Sequence, residues 1–117
     1  MTEHSASAHP AAKNLEHEEP APMDAKLAGY PWLPRMIDKA RASKAGTLGT
    51  YYRYPCPIDA ACLDLLGIDA GTFRTIASRA IDDQAVIEEL ATIGARVDQV
   101  VDFDPVQLNA ELHRDGS

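Results

Sequence analysis

Long apolar runs are missing from this sequence: its 117 residues contain no stretch of 18 consecutive apolar side chains, which excludes a membrane-spanning helix. The N-terminus, MTEHSASAHPAAKNLEHEEP, has neither the basic n-region nor the apolar h-region of a signal peptide. The expected location is therefore the cytoplasm, with no membrane partner. Cysteine is scarce. Cys56 and Cys62 are the only two, six residues apart across an expected helix start, and in a reducing compartment both are expected to stay as thiols. They lack the C-x2-C spacing of a zinc knuckle, and the histidines are scattered, with His4, His9 and His17 near the start and His113 near the end. No tetrahedral metal set is visible. The glycine-containing GTLGT at 46–50 fits neither a P-loop nor a dinucleotide fingerprint; its glycines suit a positive-φ turn. No cofactor is expected. Internal repeats and long heptad runs are also absent.

What is present is an uneven charge. The net charge is -7, yet residues 31–54 carry five Lys or Arg against Asp38 alone, a net of +4, while 55–117 carry four Arg against twelve acids, a net of -8. An acidic chain repels a polyphosphate backbone, so nucleic acid is not an expected partner. With 45% hydrophobic residues, the chain can bury one modest core.

Residues 1–27 hold few large apolar side chains and read as a flexible acidic tail, followed by a single helical domain at 28–117. Pro34 in a first turn, Leu33, Met36, Ile37 and Ala40 at helical spacing, and Gly46 as a stop predict a helix over about 34–44, with Arg35, Asp38, Lys39 and Arg41 on its charged face. GTLGTYYRYPCP, at 46–57, then reads as an extended or turning connector. Further helices are expected behind caps at Asp59, Asp69, Asp82 or Asp83, and Asp104 followed by Pro105, with stops at Gly67, Gly94 and Gly116. The period of ARVDQVVDF, at 95–103, does not decide between helix and strand. The fold class is mainly α: a compact bundle of about five short helices, an extended Gly/Pro/Tyr connector and a flexible N-terminal tail.

One stretch carries a likeness. YPWLPRMIDKARASKAGTLGTYYRYPCPIDAACLDLLGID resembles the signature of a small bacterial family, domain of unknown function 5069, at Tyr30, Pro31, Pro34, Arg35, Asp38, Lys39, Arg41, Ala45 to Gly49, Cys56 to Asp59 and Leu66 to Ile68. The resemblance implies a compact, mainly helical cytoplasmic domain and brings no catalytic assignment.

The candidate contact residues are Trp32, Arg35, Asp38, Arg41, Tyr51, Tyr52, Arg53, Tyr54 and Cys56. Guanidinium groups and aromatic faces gathered around one groove suit an acidic partner surface or an anionic ligand; the plainer reading of the charged helix face is a solvated ion-pair network. Pro55, Pro57 and Asp59 read as folding devices. Cys56 has two readings: a nucleophile, since a helix start and Arg53 stand near it in sequence, or a small buried apolar side chain. The leading expectation is a noncatalytic interaction or accessory domain contacting an acidic protein partner. The alternatives are a small-anion binding domain and an enzyme using Cys56. Sequence leaves the oligomeric state open.

Overall fold

The computed structural model describes residues 12–114. The expected tail over residues 1–11 and the expected stop at Gly116 lie outside those residues. Within them, a two-stranded hairpin and five α-helices surround one core. Strand β1 (Lys26–Leu27) pairs antiparallel with β2 (Tyr30–Pro31), Leu27 opposite Tyr30. The turn between them uses two positive φ angles, 54° at Ala28 and 85° at Gly29, the backbone twist that a two-residue hairpin needs. Helices α1 (Leu33–Ala45), α2 (Pro57–Leu66), α3 (Ala70–Arg79), α4 (Asp83–Thr92) and α5 (Pro105–Arg114) follow in order. No helix among the described residues is long and apolar enough to cross a membrane.

Helix α1 is the centre of the packing. Its stripe of Leu33, Met36, Ile37 and Ala40 is fully buried, packs chiefly against α3, and shares one core with Phe73, Ile76 and Ala77 of α3, Cys62 and Leu66 of α2, and Val86 and Leu90 of α4. The capping signals act where expected: Asp69 accepts the Thr72 amide at 2.7 Å, Asp82 that of Ala85 at 2.8 Å, and Asp104 that of Gln107 at 2.9 Å. Helix α2 differs. It starts earlier, with Cys56 as its N-cap and Pro57 in its first turn, so the expected cap at Asp59 moves three residues upstream. The ambiguous stretch before α5 is neither long helix nor strand but a short 3-10 turn, Val97–Val100, joined to α2 where the Arg96 amide donates to Leu66 O at 2.9 Å.

Two further expectations change on contact with the packing. Arg41, expected on an open charged face, is 7% exposed; its Nε donates to Ala77 O at 2.8 Å and its Nη1 to Asp83 Oδ1 at 2.7 Å. The guanidinium thus clamps the end of α3 to the start of α4. Residues 12–27 run along α1 from its C-terminal end to its N-terminal end. The Leu15 amide donates to Thr47 O at 2.8 Å, the Ala21 amide to Asp38 Oδ2 at 2.8 Å, and the Trp32 amide to Ala25 O at 3.3 Å. Leu15 is 3% exposed. At the far end of this strap Gly49, at φ 76°, leaves room that a Cβ would take from Glu16, whose Cγ would lie 2.8 Å away.

Leu15→Ala should therefore lower stability by about 2 kcal/mol or more in urea melts, where a loose tail would show no change. Asp69 supplies a pH test. Hydrogen bonds from Thr72 hold its carboxyl below the usual carboxylate range. A lowered folded value contributes stability that is fully present above the unfolded value near about 3.9 and fades as pH falls through the folded one. Asp69→Ala should lower stability at neutral pH and reduce the further loss seen below pH of about 4; parallel acid limbs for variant and wild type would contradict the cap.

Candidate binding site

The site is built where α1, α2 and the connector meet. Trp32 precedes α1 with its backbone in the left-handed region at φ 71°, a conformation that costs a bulky residue on the order of 1–3 kcal/mol. That backbone turns the indole inward: Trp32 is 2% exposed and its Nε1 donates to Asp59 Oδ1 at 2.8 Å. Asp59 is wholly buried in the first turn of α2, and its other oxygen accepts from Lys39 Nζ at 2.8 Å and from the Cys56 amide at 2.9 Å. In return Cys56 Sγ accepts the Asp59 amide at 3.5 Å. This is a reciprocal capping box with a thiol in the usual place of a hydroxyl.

Lys39 completes the cluster. It is 3% exposed, 5.6 Å from the centre of the Trp32 ring, and it also donates to Cys56 Sγ at 3.3 Å. A buried ion pair loses several kcal/mol of hydration per ion and holds only when further hydrogen bonds satisfy both partners. Asp59 receives two such bonds beside the Lys39 ammonium, from the Trp32 indole and the Cys56 amide. The expectation that Lys39 lies on a solvated face is thus corrected: the charge is turned inward by a carboxylate that sequence places far away.

Above this buried floor lies an open cavity of about 350 Å³, lined by Trp32, Arg35, Lys39, Tyr51, Tyr52, Arg53 and Cys56 together with Met23, Ile58 and Asn109. Arg35 lies between two rings, its guanidinium carbon 5.7 Å from the Trp32 centroid and 5.5 Å from that of Tyr52, while its Nη1 donates to Ala21 O at 3.1 Å. Tyr51 and Tyr52 meet edge to face with centroids 4.8 Å apart, and Tyr51 is 85% exposed. Arg53 is exposed and makes no hydrogen bond or ion pair among the described residues. The lining holds three cations and no carboxylate. A second cleft, of about 290 Å³, contains Asp24, Asp102 and Asp104 beside Lys26 and is unsuited to an anion.

Of the nine residues picked out from sequence, Trp32, Arg35, Tyr51, Tyr52, Arg53 and Cys56 line the cavity. The other three lie elsewhere. Asp38 takes the Ala21 amide and the Lys13 ammonium, the latter at 3.0 Å, and so holds the strap. Arg41 is the α3–α4 clamp described above. Tyr54 donates its hydroxyl to Ala70 O at 2.8 Å, and burial, with the charge of Asp59, pushes its phenol well above the usual value. Lys39 was the member missed; its i+4 spacing from Arg35 was a readable signal. Among the described residues no group of three or more His, Cys, Asp or Glu is arranged to hold a metal.

A family model described as Domain of unknown function (DUF5069) matches residues 17–104. The chain belongs to that family. The matched segment contains the strap's second half, the hairpin, helices α1 to α4 and all the cationic lining of the cavity. No curated protein matches the chain.

Lys39→Met leaves Asp59 buried without its counter-charge and should cost about 3–5 kcal/mol. Combining it with Asp59→Asn, which keeps hydrogen-bonding capacity toward Trp32 while removing the charge, should recover part of that loss. Strictly additive losses in urea melts would mean that the pair is not coupled.

Proposed function

We propose that the domain is a noncatalytic binding module that receives an anionic group of an acidic protein partner in the cavity beside Cys56. The observation that carries this reading is the lining: Arg35, Lys39 and Arg53 gathered with three aromatic rings and no carboxylate, in a chain of net charge -7. Lys39 is already paired with Asp59, so Arg35 and Arg53 supply the charge offered to a ligand. Arg35 is held in place between two rings before anything binds, which reduces the rotamer entropy lost on contact. Tyr51 and Tyr52 supply rigid contact area at the rim. On this reading the domain works in a bacterial cytoplasm, where its two free cysteines, Cys56 and Cys62, would persist as thiols.

A small free anion is the second reading, and the cavity itself favours it: about 350 Å³ falls at the low end of small-molecule sites. Titration with a glutamate-rich peptide and with a free aromatic dicarboxylate, each at low and high salt, separates the two. The peptide should bind more tightly, and more weakly as salt rises. Arg53→Ala should weaken it roughly tenfold, about 1.4 kcal/mol, and Tyr52→Ala should also weaken it. Arg79→Ala removes an equal charge from a surface pair with Glu89 and should leave the affinity unchanged. Equal affinities for wild type, Arg53→Ala and Tyr52→Ala would overturn the proposal, and preference for the dicarboxylate would favour the second reading.

A further inference from the structure

The Cys56 sulfur is not an isolated thiol. It caps a ten-residue helix, lies 3.3 Å from a buried ammonium that is itself fixed by Asp59, and lines a cavity that also contains Arg35 and Arg53. These groups provide what thiol exchange uses. Lys39 Nζ and the Asp59 amide donate to the sulfur, and half-buried Cys56 belongs to the lining of a cavity that a second molecule can enter. The other cysteine is the internal contrast: Cys62 is wholly buried in the core, and burial, then the charge of Asp59, pushes its thiol up to about 12.

We propose that Cys56 is a site of thiol–disulfide exchange for small disulfides bearing carboxylates. Selection for the carboxylates rests on the anion-binding reading given above. In the exchange, the Cys56 sulfur attacks one sulfur of the incoming disulfide. The bond between its two sulfurs breaks, a mixed disulfide forms on Cys56, and the departing half leaves as a thiolate that takes up the proton lost by Cys56. Cys56 is oxidised and the departing half is reduced, so the disulfide is the oxidant and no other is needed. Arg53 and Arg35 attract the carboxylates, while Lys39 and the Asp59 amide face the reacting sulfur. The retained half of the disulfide then occupies the cavity, so the same reaction closes the binding site until another thiol removes it.

The test uses the full chain and two aromatic disulfides, dianionic dithiobis-nitrobenzoate and neutral dithiodipyridine, with rates divided by those of a neutral small thiol and the modified residue assigned by peptide mass spectrometry. The expected result is one adduct, on Cys56 and not on Cys62, with the normalised rate for the dianion exceeding that for the neutral reagent by about tenfold. Arg53→Ala should collapse that preference, Arg79→Ala should keep it, and bound reagent should block the glutamate-rich peptide. A folded protein in which Cys56 resists both reagents overturns the proposal, and if the peptide still binds, the anion-site reading survives. Labelling of Cys56 without preference for the dianion also overturns the proposal, and absence of peptide binding in that case removes the anion-site reading as well.

Discussion

The buried carboxylate of Asp59 is the constraint around which this domain is arranged. A charge removed from water must be met by hydrogen-bond donors and a counter-ion, and each group that meets it comes from a different part of the chain: the Trp32 indole from the hairpin exit, the Lys39 ammonium from α1, and the Cys56 amide from the end of the connector. Satisfying one carboxylate therefore fixes the angle between α1 and α2 and the path of the chain into both. It also accounts for a tryptophan held in a left-handed backbone conformation. Local strain of that kind persists only where surrounding contacts over-determine it.

The fold and the cavity share this floor. Trp32 and Lys39 are at once core residues and cavity lining, and Arg35, one turn before Lys39, is stacked against the same indole. A flexible cation on an open surface loses entropy when it engages an anion; a guanidinium already placed between two rings has lost most of it during folding. Only Arg53 and Tyr51 retain the exposure typical of a free surface.

The features legible in the sequence were those set by neighbouring residues. The buried stripe of α1, the aspartate caps of α3 to α5 and the glycine after α2 depend on spacing within a few positions, and they occur as expected. The gathering of Arg35, Tyr51, Tyr52 and Arg53 could be anticipated because the basic residues and the aromatics fall in one short segment. What escaped depends on distant partners. A lysine and an arginine two positions apart on α1 read as solvated until Asp59, Asp83 and Ala77 O are placed opposite them. Leu15 among polar residues reads as tail until α1 and the 47–49 turn give it somewhere to be buried. Cysteine is an unusual N-cap, so the aspartate three positions later drew the assignment.

Asn109 lies in α5, beyond the end of the family segment at residue 104, yet it lines the cavity. The cavity lining is thus a composite: nine of its ten residues lie within 17–104, and Asn109 comes from α5. On the binding reading proposed above, a change in α5 would leave the cationic and aromatic lining in place and alter only the contact made by Asn109. The shape of the cavity would then be adjustable from α5, with the buried carboxylate and everything that depends on it left untouched.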